Sequence, residues 1–230
     1  DPDRYWCVHP ANYTQRGRDW ERPVHVEIFE TDDQLVVAQN SGVRTHGTCT
    51  RTTVNKSLRL YARDDYGPDR FDYPFFGTEL PNDFRRLVVR RLQTFRDPIA
   101  RAPAAQLGLA HQAYRPAHIF LNGEYWGLHG IRERLDEHYI ESHYGVDSDD
   151  LVMLTSDTTL VHGQPDDKQA YVDLVDFMVS EDLQVPANYD YVKTQIDIDE
   201  FIDYVALHAT QGQTRWVPQT NNERHWRRRT

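Results

Sequence analysis

Two runs of β-forming residues, His118-Ile119-Phe120-Leu121 and Glu124-Tyr125-Trp126-Gly127-Leu128, are separated by Asn122-Gly123 alone. Both residues of a two-residue hairpin turn take positive φ, which Asn and Gly tolerate best, so an antiparallel hairpin is predicted here. The chain before it keeps the same period of two. In Val24-His25-Val26-Glu27-Ile28-Phe29-Glu30 apolar and polar residues alternate, Thr31-Asp32-Asp33 supplies a turn, and 35–38 reads as a return strand. A further strand is predicted over 56–63, after a small-residue loop over 41–51 that contains Gly42 and Gly47. Residues 64–82 read as irregular. Residues 83–109 read as helical in part, with Pro98 and Pro103 as interruptions.

After Arg134 the period changes to 3.6. Residues 135–144 read as a helix closed by Gly145, and 166–183 and 197–211 each carry an apolar stripe at helical spacing. The expectation is an α+β fold with segregated elements, a β-rich region over 1–134 followed by a helical one over 135–230. The terminal Arg227-Arg228-Arg229 has no evident partner strand. Together with an opening on Asp1-Pro2-Asp3, it suggests a chain cut at both ends.

Composition excludes several classes of function. A net charge of −10 argues against a nucleic-acid binder, which gains affinity by neutralising phosphates. The apolar runs are far too short to span a membrane. Only Lys56, Lys168 and Lys193 are lysines, and the remaining basic residues are arginine. Cys7 and Cys49 lie in no C-x-x-C pair, so a zinc site finds no support, and they read equally as one disulfide or as two thiols. No metallohydrolase His pair and no Gly-x-Ser-x-Gly elbow is present.

Two residues stand out chemically. Lys56 heads the strand face that carries Leu58, Leu60 and Ala62, while Arg59, Tyr61 and Arg63 lie on the other. It reads either as a strand-end lysine reaching back to water or as a phosphate-binding lysine after a glycine-containing loop. Glu133, in Ile131-Arg132-Glu133-Arg134, reads as a structural ion pair or as a partner for Lys56. The acidic clusters at 147–150 and 197–200 match no calcium loop and read as a loop and a helix N-terminus.

Several segments resemble the spore-coat CotH kinase-like family in its secreted bacterial form. They are 13–24, Gly42-Val43-Arg44-Thr45-His46-Gly47, Lys56-Ser57-Leu58-Arg59-Leu60-Tyr61, Tyr114-Arg115-Pro116, Phe120-Leu121-Asn122-Gly123-Glu124-Tyr125-Trp126-Gly127, Arg132-Glu133-Arg134-Leu135-Asp136, Phe201-Ile202-Asp203-Tyr204 and Asn221-Asn222. The resemblance implies an atypical protein-kinase-like fold, with a β-rich nucleotide lobe and a helical lobe. It implies phosphorylation of protein serine hydroxyls, in serine-rich segments of extracytoplasmic or spore-surface proteins, with ATP and Mg2+. It places Lys56 and the loop from Gly47 to Arg51 at the nucleotide, Glu133 as the acidic partner, and Asn221 or Asn222 at the metal. Where the family usually shows Asn-Thr-Asp-Trp, this chain has Gln213-Thr214-Arg215-Trp216, so an arginine stands at the position of the expected catalytic aspartate. An arginine stays protonated and cannot accept the substrate's proton. The metal-binding aspartate is expected beyond Thr230. A pseudokinase or an extracellular surface interaction module is therefore the alternative expectation.

Overall fold

A computed structural model describes residues 11–92, 96–155, 158–212 and 224–229. They fall into two compact units, one within 1–96 and 112–139, the other within 97–111 and 140–230.

The first unit is built on a six-stranded antiparallel sheet. Its strands are β1 (Arg22–Phe29), β2 (Leu35–His46), β3 (Ser57–Tyr61), β6 (Arg86–Arg91), β7 (Tyr114–Leu121) and β8 (Glu124–Glu133), in the order β1-β2-β3-β6-β8-β7. The hairpin predicted at Asn122-Gly123 joins β7 to β8, with φ of 52° and 84° at the two turn residues. Two short strands pair, β4 (Phe71–Asp72) inside the stretch predicted to be irregular and β5 (Asp83–Phe84) at the start of the stretch predicted to be helical in part.

Three strand expectations need correction. The 41–51 loop is strand as far as His46, because β2 runs on to pair Gly42 through His46 with Tyr61 through Ser57. β3 begins at Ser57, so Lys56 stands just before it. Part of the stretch predicted helical is β6, whose Leu87, Val88 and Val89 are all buried between β3 and β8. Such a run of apolar residues shows no alternation, because both faces of a central strand are covered. A helix, α1 (Arg96–Gln106), does follow, with Pro103 inside it.

The two faces of the sheet are chemically opposite. One packs Val37, Leu60, Leu87, Val89 and Ile131 against Phe71, Phe75 and Phe84 from the segment around β4 and β5. Rings there meet edge to face, Phe75 and Phe84 at 5.8 Å between centroids. The other face follows from the register. Arg44 lies opposite Arg59, Arg59 opposite Val88, Val88 opposite Arg132, and Arg86 and Arg90 flank Val88 on the same side. One face is thus apolar and the other rich in arginine.

The second unit is not purely helical. It contains a three-stranded antiparallel sheet of β9 (Leu151–Thr155), β10 (Leu160–His162) and β11 (Arg224–Arg228), in the order β10-β9-β11. The terminal arginines therefore do have a partner strand, β9. Arg229 closes the arrangement with an ion pair to Asp167 at 3.1 Å and a backbone bond to Asp150 at 2.7 Å. The predicted helices are present as α3 (Gln169–Ser180) and α5 (Ile198–Thr210), and Asp197 caps α5 by accepting from the Glu200 N–H at 3.0 Å. The predicted helix over 135–144 is α2 (Glu137–Tyr144), followed by Gly145 at φ 64°. A helix the periodicity did not show, α4 (Pro186–Gln195), begins on proline and packs Tyr191 against Phe177 of α3. The chain is a mixed α+β protein with a curled antiparallel sheet. No helix among the described residues is long and apolar enough to cross a membrane.

Candidate functional site

The loop from Gly47 to Arg51 is a compact, cross-braced turn. Gly47 has φ 111°, a region that L side chains rarely adopt, and a Cβ there would collide with Thr50 Oγ1. Cys49–Thr52 forms a short 3-10 turn, and Cys49 is disulfide-bonded, while Cys7 lies outside the described residues. Arg51 is 9% exposed and folds back across the turn. Its Nε donates to the Gly47 carbonyl at 2.5 Å, and its Nη1 donates to the Gln15 carbonyl at 2.6 Å and to Thr45 Oγ1 at 3.0 Å.

Lys56 and Glu133 sit apart. Lys56 Nζ donates to the Thr53 carbonyl at 2.9 Å and lies 4.2 Å from the Tyr13 ring centroid, a cation–π contact. Glu133, 3% exposed at the end of β8, accepts from the Ala113 N–H at 3.0 Å. The register explains the separation. Glu133 aligns through Leu87 with Leu60, four residues along from Lys56 and two strands away. That is about 13 Å along the strands and about 10 Å across them, beyond side-chain reach. The ion pair between Lys56 and Glu133 that the sequence allowed is therefore not formed.

The sheet's arginine face was only partly visible in the sequence, through the alternation of Arg59, Tyr61 and Arg63. Acidic residues serve one side of it. Glu21, 6% exposed, pairs with Arg44 at 3.3 Å and Arg63 at 2.9 Å. Asp136, 2% exposed, pairs with Arg86 at 2.8 Å and Arg134 at 3.3 Å, and Glu137 reaches Arg86 at 2.9 Å. The Arg44 and Arg63 guanidinium groups both lie over the Tyr61 ring, at 4.1 and 4.8 Å from its centroid. Beyond it lies a cavity of about 240 Å³ whose lining includes Arg18, Arg63, Asp65, Arg85, Arg86 and His138. Gly47, Arg51, Lys56 and Glu133 do not line it.

The other end of the face is different. Arg59 donates through Nη2 to His46 Nδ1 at 2.8 Å and through Nη1 to the Tyr61 hydroxyl at 3.2 Å, while its Nε is buried without a partner. Burial, then Arg59, Arg90, Arg51 and Arg134, push the His46 pKa down to about 3. Burial and the neighbouring Arg59 lower Arg134 to about 10, and burial with Arg16 and Arg59 lowers Arg51. These shifts share the same two causes, burial first and the positive charge of neighbouring arginines second.

A family model described as CotH kinase protein matches residues 43–229. The chain belongs to the CotH kinase family. Membership gives it a protein-kinase type of function, with ATP and metal use and a protein substrate in general terms. No curated protein matches the chain. The CotH match covers Gly47, Arg51, Lys56 and Glu133, and also Arg215, Asn221 and Asn222. The last three lie outside the described residues. Among the described residues no group of three or more His, Cys, Asp or Glu side chains could hold a metal ion.

Proposed function

We propose that this CotH domain is an atypical protein kinase of two-lobed, kinase-like plan. It transfers the γ-phosphoryl group of ATP, with Mg2+, to serine hydroxyls in serine-rich segments of extracytoplasmic or surface proteins. The observation that carries the reading is the CotH match over 43–229, which takes in the braced loop from Gly47 to Arg51. On this reading that loop and Lys56 face the nucleotide, Glu133 fixes the adjoining backbone, and Asn221 or Asn222 serves the metal. ATP supplies the phosphoryl group, and Mg2+ offsets the charge that develops on its oxygens. The chain's own part is to hold the phosphates in place and to keep the accepting hydroxyl aligned with them.

Arg215 favours a second reading, a pseudokinase or surface interaction module that keeps the scaffold without the transfer step. An arginine cannot take the proton from the attacking hydroxyl.

The test is incubation of the purified chain with γ-labelled ATP, Mg2+ and a serine-rich peptide, with phosphoserine read by mass spectrometry. Time-dependent incorporation is expected. ATP binding without any incorporation, with Mg2+ or Mn2+, would leave the pseudokinase reading. No nucleotide binding at all would leave only the interaction module.

A further inference from the structure

We propose that the cavity beside Tyr61 binds a small zwitterion of the amino-acid class, with Arg85 holding its carboxylate and Asp64 its ammonium group. The site is separate from the loop assigned to the nucleotide, since Gly47, Arg51, Lys56 and Glu133 do not line the cavity, and it does not depend on phosphoryl transfer.

Most charges on the cavity wall already have a partner of opposite sign. Arg18 pairs with Asp65, Arg63 meets Glu21 at 2.9 Å, and Arg86 meets Asp136 at 2.8 Å and Glu137 at 2.9 Å. Asp69 lies 3.7 Å from Arg70. Arg85 and Asp64 are the exceptions. Both line the cavity, yet their side chains make no hydrogen bond or ion pair among the described residues, with each other included, and Arg85 Nε is buried without a partner. A buried donor left unmatched is costly, so an acceptor bound beside it is favoured.

The backbone fixes where both side chains start. The Ala62 N–H donates to the Arg85 carbonyl at 3.0 Å, which extends the pairing of β3 with β6 by one step. Asp64 follows two residues later, in the turn that the Tyr66 N–H closes on the Arg63 carbonyl at 2.9 Å. The two origins are thus at most about 7 Å apart along the strand direction and about 5 Å across it.

Their opposite signs decide the ligand. A lone anion at Arg85 is repelled by Asp64, Asp65 and Asp69 on the same wall, and a lone cation at Asp64 is repelled by the arginines. A molecule that carries both charges satisfies both groups at once. The guanidinium fork takes a carboxylate two oxygens at a time, and the aspartate accepts from an ammonium group. At about 240 Å³ the cavity is smaller than sites for drug-sized ligands, and its largely polar wall suits a small polar amino acid.

The experiment titrates the isotope-labelled chain with L-serine and with its two one-charge analogues, 3-hydroxypropanoate and ethanolamine, and follows the amide NMR spectrum. L-serine is expected to shift the amides of residues 62–65 and 85–86 saturably. It should bind about tenfold more tightly than either analogue, because each analogue lacks one charge-assisted contact. Arg85→Gln should weaken L-serine binding about tenfold without weakening ethanolamine. Asp64→Asn should weaken L-serine binding as much without weakening 3-hydroxypropanoate. If Arg85→Gln gives the spectrum of an unfolded chain, Asp64→Asn, at an exposed position, carries the test. An analogue that binds as tightly as L-serine overturns the proposal. So does L-serine binding that is indifferent to both substitutions, or the lack of any saturable shift at these amides.

Discussion

At the scale of single residues, His46 is the most informative side chain, because one bond and one charge cluster fix its protonation state. Its Nδ1 accepts from Arg59, which only the neutral ring can do, and burial with the surrounding arginines holds its pKa at about 3. In the unfolded chain an ordinary histidine titrates near 6.5. Between about pH 6.5 and 3, therefore, the unfolded state binds a proton that the native state refuses, and stability falls as the pH falls through that window. Above pH 6.5 the contribution is fully present. One such proton gives a slope of up to about 1.4 kcal/mol per pH unit. His46→Gln keeps an acceptor for Arg59 and cannot titrate. Urea unfolding at pH 7 and pH 5 should therefore show a smaller loss of stability on acidification in the variant than in the parent chain. An equal loss in both would mean that His46 titrates normally. Lys56 makes the contrasting case. Its pattern position marked it as one to watch, but its neighbours are a carbonyl and a tyrosine ring. Lys56→Ala should cost about 1 kcal/mol or less in chemical denaturation.

At the scale of elements, the hairpin was fully legible, because its turn chemistry is local: Asn122 and Gly123 determine it without help from the rest of the chain. β6 was not, because a central strand is defined by neighbours remote in sequence. Leu87-Val88-Val89 reads as any buried apolar run until β3 and β8 are placed beside it. The same holds for the site. The residues of a loop can be quoted from the sequence, whereas the gathering of Arg44, Arg59, Arg86 and Arg132 on one face depends on strand order and register. β9 and α4 went unread for related reasons, one a short strand buried from Leu151 to Leu154 and the other a helix with little apolar stripe. The sheet's register also makes a prediction at Gly130. It lies on β8 against the ring of Tyr114 on β7, and a Cβ there would fall inside that ring. The ring in turn lies 5.3 Å from the buried Arg132 guanidinium. Gly130→Ala should force β7 and β8 apart and cost about 1–3 kcal/mol, measured as a lowered denaturation midpoint. Tyr114→Leu in the same chain should recover part of that loss, since it removes the colliding ring.

At the scale of the whole molecule, family membership and catalytic competence separate. The sheet, the hairpin and the braced loop from Gly47 to Arg51 all lie within the first unit and are organised by packing and register. Phosphoryl transfer needs one more thing, a group that takes the proton of the attacking hydroxyl, and on the proposed reading Arg215 stands at the position expected to hold that aspartate. A general base contributes roughly 10²–10⁴-fold to such a step. If the arginine is all that holds the chain back, Arg215→Asp should raise phosphoserine formation on the serine-rich peptide by at least about 100-fold. ATP affinity should stay within twofold, because this change leaves Lys56 and the loop from Gly47 to Arg51 untouched. The comparison must therefore read turnover and binding together. A rise in turnover at constant affinity would show that this scaffold is a kinase halted at a single proton transfer. Unchanged turnover with affinity intact would mean that the family fold serves this chain as a ligand-binding surface rather than for chemistry at serine.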